Sequence, residues 1–224
     1  MYVYIGSTLL FYLSYLGLDK YLPEYFPDSS KESRLVTREY RIVNFVKGTA
    51  LIGLTIPGTQ FLYALTFYPD LLSVSMMNFI GAVYVATDLS AIAYNPSCHK
   101  STLIHHVAVQ FFYYYCYYWN FTMENVIVKG IGIYCILSAY AGIVNMRLAM
   151  RCPAEQYKLL ENVVNEISLF VYVTVSVINW IVQSYLILNA NAIYYHTFIW
   201  MWYAGALSMT INDDLFLIKY LRNF

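Results

Sequence analysis

Charge is what this chain has least of. Asp, Glu, Lys and Arg make up 12% of its 224 residues, against roughly a quarter in ordinary soluble domains. With 60% of the residues apolar, a soluble fold of this size would have too little polar surface to cover itself. The 13 basic and 13 acidic side chains cancel, which excludes the basic face that nucleic-acid binding requires. The four cysteines, Cys98, Cys116, Cys135 and Cys152, form no C-x-x-C pair, so buried thiols are expected rather than a redox motif or zinc site. The four histidines, His99, His105, His106 and His196, are too few for a histidine-rich di-iron centre, and neither a metal nor a cofactor is expected. No Gly/Ser-rich linker, low-complexity tract or internal repeat divides the chain. A single membrane domain follows.

What the chain has in quantity is long apolar runs. A helix needs about 20 predominantly apolar residues to cross a bilayer core. Seven segments approach or meet that length, at 1–18, 43–67, 71–94, 102–119, 126–148, 163–188 and 193–218. The expected fold is therefore an all-α integral membrane protein with seven transmembrane helices. The one long connector, 19–42, holds two prolines, paired serines and mixed charges, and reads as a surface loop with a short amphipathic portion.

Lysine and arginine are retained in short cytosolic loops. Lys20, Lys31, Arg34, Arg38 and Arg41 lie in the first connector, Lys100 in the third, Arg147, Arg151 and Lys158 around the fifth, and Lys219 and Arg222 in the tail. The second, fourth and sixth connectors carry none. That alternation predicts an odd number of spans, a lumenal N-terminus and a cytosolic C-terminus. The opening MYVYIGSTLLFYLSYLGL has no basic start and no clear cleavage site, so an uncleaved first helix is expected.

The few ionisable residues inside the apolar runs then fall at one depth. Lys47, Asp88, His105, His106, Glu166, Asp213 and Asp214 all lie roughly 6–10 Å inside the cytosolic boundary, at 1.5 Å of rise per residue. Asn145 and Arg147 lie slightly shallower. Charges in hydrocarbon are kept where they face a partner, a cavity or a pathway, so these residues define a candidate polar cavity. Consecutive helical residues differ by about 100° in direction, so one of His105 and His106 is expected to face the bundle axis and the other a neighbouring helix.

Simpler readings compete at several of these positions. Lys47 and Arg147 are close enough to helix ends to snorkel to water, as is Lys129 at the opposite boundary. Glu166 belongs to the polar start of its segment with Glu161 and Asn165. One of Asp213 and Asp214 is expected to be a solvated helix-end carboxylate. Asp88 lies well before Asn95 and Pro96 end its run, where neutral burial or pairing to a histidine are its options. The aromatic stretch 111–119 suits the lumenal interface. Cys98 and Cys152 flank cytosolic helix ends, where S-palmitoylation occurs. Asn120-Phe-Thr is a formal glycosylation sequon, placed so close to the membrane that it is expected to be unused.

At these residues the chain resembles a known family. D-L-S-A-I-A-Y at 88–94, followed by T-L-I-H-H-V-A at 102–108, is similar to the central helices of TLC-domain proteins. That family unites ceramide synthases, translocating-chain-associating membrane proteins and small multipass proteins. Asn145 and Arg147 as N-x-R, the Asp213–Asp214 pair, N-F-V-K at 44–47 and Pro57 also fit the pattern. The resemblance covers about 42–221, leaving 1–41 as a first helix and cytosolic loop. It implies a barrel of six helices around a lipid-chain cavity, with the first helix packed outside. In ceramide synthases the cavity hosts acyl transfer from acyl-CoA to a long-chain base. The resemblance thus implies His105 or His106 as general base or acyl acceptor, oriented by Asp88 and the acids of the last segment. Histidine suits the role because its unperturbed pKa permits proton exchange near neutrality. Lys47, Asn145, Arg147, Asp213 and Asp214 would line the cavity.

The chain departs from the synthases in the fifth segment, where no carboxylate occurs between Glu124 and Glu155. It departs from the small multipass members in carrying Ser138 where they have a glutamate. The resemblance is closest to the small multipass group, which implies lipid binding or membrane-lipid homeostasis in the endoplasmic reticulum, with a membrane lipid or acyl chain as partner. Acyl-CoA-dependent acyl transfer is the alternative. A solute transporter or channel is a further rival, because intramembrane charge also marks ion pathways. A seven-span receptor is disfavoured by very short cytosolic loops and by the lack of N-P-x-x-Y in the last segment.

Overall fold

A computed structural model describes residues 1–21, 37–68, 73–96, 100–122, 125–150, 158–189 and 197–222. Among them all regular structure is helical. The helices are α1 (Tyr2–Tyr21), α2 (Arg38–Phe67), α3 (Val74–Tyr94), α4 (Lys100–Tyr118), α5 (Val126–Tyr140), α6 (Gly142–Ala149), α7 (Lys158–Asn189) and α8 (Thr197–Arg222). Cys98, Cys152, His99, His196 and most of the 19–42 connector lie outside the described residues.

Local chemistry explains several boundaries. Thr37 and Ser73 accept hydrogen bonds from the backbone N–H of Tyr40 and Met76, which caps α2 and α3. Asn125 accepts from both Ile127 and Val128 at the start of α5. Each cap satisfies a donor that the helix itself leaves open. α4 ends in a Schellman turn: Phe121 N–H donates to Cys116 O at 2.8 Å and Asn120 N–H to Tyr117 O at 3.0 Å. Asn120 and Phe121 take positive φ values of 50° and 53°. Asparagine tolerates that region, and the buried Phe121 ring, packed 6.0 Å from Tyr113, offsets the strain.

The fifth apolar segment is not one straight helix. It breaks at Ala141, whose N–H bonds back to Ser138 O, and resumes as α6. The cause is a close crossing with α2. A Cβ on Gly142 would lie 3.0 Å from Gly48 O and 2.9 Å from Leu51 Cβ, so only glycine lets the two backbones meet here. Small residues permit such approaches between membrane helices, and a kink at glycine is a common way of accommodating them.

Four stretches are long and apolar enough to cross a bilayer among the described residues: Arg38–Leu65, Val74–Tyr94, Val126–Ala149 and Glu161–Asn189. α1, α4 and α8 are less uniformly apolar, with five tyrosines each in α1 and α4 and an Asn-Asp-Asp run in α8. Outward faces carry exposed Leu9, Leu10, Ile56, Phe79, Phe170, Ile181 and Phe216. Apolar surface on this scale suits a hydrocarbon surrounding better than water.

α5 packs between α2 and α7 and also touches α3 and α4. α1 lies against α3 and α2. Its Tyr15 hydroxyl sits 3.2 Å from Ser90 Oγ, its Tyr4 hydroxyl donates to Gln110 at 2.7 Å, and Asp19 pairs with Arg38 at 2.9 Å. α7 packs on α5, α6 and α8. α4 and α8 meet differently, through rings: Trp202 lies 4.2 Å from Phe111 and 4.4 Å from Phe112. Their backbones do not come close along a shared seam, and a hollow lies between them.

Candidate functional site

Asp88 is the fixed point of the site. It is fully buried on α3 among Ala86, Thr87, Ser90 and Ala91. The neighbouring hydroxyls cannot serve it, because Thr87 donates to Tyr84 O and Ser90 to Ala86 O within their own helix. Partners come from other helices instead. Lys47 Nζ, on α2, donates to Asp88 Oδ1, and His106 Nδ1, on α4, lies 3.1 Å from the same oxygen. Lys47 therefore does not snorkel. The histidine is at ion-pairing distance without hydrogen-bond alignment, and both its Nδ1 and Asp88 Oδ2 are buried without a hydrogen-bond partner among the described residues. A buried carboxylate with one oxygen bonded and one orphaned is costly, and such groups concentrate where a protein holds a reactive or ligand-responsive site.

His105 points the other way. Its ring is 5.8 Å from that of His106 at an interplanar angle of 66°, and it lines a hollow enclosed by α4, α5, α7 and α8. The hollow has an empty volume of about 580 Å³, counting its open mouth. Its polar end holds His105, Thr210 and Asp213, and its walls are apolar, as at Ala108, Val109 and Leu207.

The acidic pair divides as the histidine pair does. Asp213 faces the hollow. Asp214 accepts a hydrogen bond from Tyr172 at 2.6 Å and another from Trp180 at 2.9 Å, both on α7. One member of each pair thus meets the cavity and the other fastens a neighbouring helix, as the 100° step between consecutive residues requires.

The far end of the hollow is closed by a polar plug that the sequence reading missed. Gln183 donates to Gly130 O at 3.0 Å and to Asn179 Oδ1 at 3.1 Å, and its own Oε1 accepts from Tyr203. Every polar atom of that amide is engaged. Gly130 makes room for it, since a Cβ there would run into the Tyr203 hydroxyl and come within 3.1 Å of Gln183 Oε1. The signal available in sequence was Asn179 and Gln183 at i and i+4 within an apolar run.

A second hollow, with an empty volume of about 490 Å³ counting its open mouth, lies between α3, α4 and α5. Its lining includes Ile80, Tyr84, Tyr113, Cys116 and Cys135. The two spaces share Val109, Phe112, Ile131 and Tyr134 as a common wall.

The remaining expected site residues lie elsewhere. Arg147 neither snorkels nor lines either hollow; it is buried, and donates to Asn165 O, Ser168 Oγ and Leu221 O at 3.3, 3.5 and 3.0 Å. Its five guanidinium donors suit this role of tying α6 to α7 and α8. Asn145 is half-buried on α6, away from both linings, and Glu166 is exposed. Lys47 and Asp214 stand behind the cavity wall rather than on it. No group of three or more His, Cys, Asp or Glu side chains gathers in metal-binding geometry among the described residues. Comparison of the chain with family models, with curated proteins and with solved structures returned no match.

Proposed function

We propose that this chain is a seven-span membrane protein of TLC type that binds or handles a membrane lipid in an intramembrane cavity open toward the cytosolic side. Helices of spanning length, apolar outward faces and the alternation of basic connectors support the membrane reading. In it α5 and α6 together make one span, the N-terminus is lumenal, the C-terminus is cytosolic, and the endoplasmic reticulum is the membrane. The observation that carries the lipid reading is the hollow itself: an apolar slot whose polar end presents His105 and Asp213, with the buried Asp88–Lys47–His106 cluster directly behind the imidazole. An amphiphile places its head at such an end and its chain along such walls.

Acyl transfer from acyl-CoA is the second reading, favoured by one observation. His105 is open to the cavity, where an imidazole can accept a proton from a bound hydroxyl or amine. Here His105 would be the base or acyl acceptor, and Asp88, Lys47 and His106 would position it.

Mass spectrometry of lipids that co-purify with the full chain tests the first reading. The native protein is expected to retain a defined lipid that His105→Ala loses, and a wild-type preparation free of specifically retained lipid would overturn it. Turnover of acyl-CoA with a lipid acceptor, abolished in His105→Ala, would select the enzymatic reading.

A further inference from the structure

The partition between the two hollows carries an inference about the ligand, and it rests on the lipid reading above. Phe112 lines both spaces, and its ring is held from the α8 side by Trp202 at 4.4 Å and Tyr203 at 6.0 Å. Tyr203 is itself fixed by its bond to Gln183. The wall between the polar-ended slot and the apolar space beside it, shared with Val109, Ile131 and Tyr134, therefore includes a braced aromatic side chain. Behind it, buried Cys116 and Phe121 end the second space near the foot of α4.

The polar end restricts the head. Among the described residues no lysine or arginine is part of its lining. Lys47 is bound to Asp88, and Arg147 to the backbone of α7 and α8. A carboxylate or phosphate head would meet Asp213 with no lysine or arginine among the described lining residues to offset it. A hydroxyl can donate to that carboxylate or exchange a hydrogen bond with the His105 ring, and Thr210 offers a further partner.

We infer that the slot between α4 and α8 takes a single-chain amphiphile with an uncharged hydroxyl head, and that Phe112, backed by Trp202, sets the length of chain it accepts. From His105 to Phe112 along α4 is ~10 Å, and from Asp213 to Tyr203 along α8 ~15 Å, at 1.5 Å per residue. An extended chain advances ~1.2 Å per bond, so the slot holds about nine to twelve carbons. Removing the Phe112 ring joins the second space, which runs on from Phe112 to Cys116 for another ~6 Å, or about five carbons.

The test uses the full-length protein in detergent, incubated with an equimolar series of 1-alkanols from about 8 to about 18 carbons and read by native mass spectrometry. Wild-type binding should rise by about fourfold with each methylene that finds apolar cover, then stop rising near the length that fills the slot. Phe112→Ala should move that limit up by about four or five carbons, and Ala206→Leu, which narrows the slot from α8, should lower it by two or three, roughly one per added heavy atom. A limit that stays fixed in the variants that fold overturns the role of Phe112 while leaving the lipid reading intact. Ala206→Leu decides the matter if Phe112→Ala does not fold. Preferential binding of the matching fatty acids over the alkanols overturns the inference about the head, and failure of every single-chain probe to bind wild type overturns the lipid reading on which both stand.

Discussion

The two buried polar clusters differ in how completely they are satisfied. Around Gln183 and Asp214, on the α7–α8 side, amide, hydroxyl, indole and carboxylate all find partners. Around Asp88, on the α2–α3–α4 side, the Lys47 ammonium and the His106 ring crowd one carboxylate oxygen, and the other has no hydrogen-bond partner among the described residues. A satisfied network in an apolar surround rigidifies and specifies packing, whereas a partly satisfied one stores cost that something else must justify. The first cluster reads as fastening and the second as machinery.

Three substitutions probe that contrast. The largest effect is expected at Asp88→Leu, which strands Lys47 beside the core. Breaking a buried pair by removing one partner costs about 3–5 kcal/mol. Thermal unfolding in detergent should show that loss, and Asp88→Leu combined with Lys47→Met should recover most of it; a double variant as unstable as the single one would mean the pair is not a coupled unit. Next comes Asp214→Ala, which removes two hydrogen bonds at a half-buried carboxyl, each worth about 1 kcal/mol. The same melting measurement should show a cost smaller than that at Asp88, and Asn in place of Ala should restore part of it. The smallest change in stability is expected at His105→Gln, below about 1 kcal/mol, because the ring lines a hollow and supports no other helix. A melting loss at His105 as large as that at Asp88 would erase the distinction between wall and machinery.

Much of this arrangement is readable from the chain and part of it is not. The segments around 43–67, 71–94, 102–119 and 163–188 match α2, α3, α4 and α7, because long apolar runs leave the backbone few alternatives to helix in hydrocarbon. The convergence of Lys47, Asp88 and His106 follows from their common depth. Direction is another matter: whether His105 or His106 meets Asp88, and which of Asp213 and Asp214 meets the cavity, depends on how each helix is rotated by its neighbours. The break at Ala141 arises from a backbone approach between Gly48 and Gly142, 94 positions apart, and no local signal announces it. Arg147 carries the signature of a snorkelling residue, but its donors reach carbonyls contributed by α7 and α8.

The Gly48–Gly142 crossing also sets where the molecule is most tightly joined. Lys47 is the residue before that contact, so the cation is anchored where two main chains interlock and neither can slide without the other. Across the hollow, α4 and α8 are held apart by rings that rotate about single bonds. The tightly interlocked side of the fold thereby carries the Lys47–Asp88 pair, and the more loosely joined seam is the ring-lined one beside Trp202.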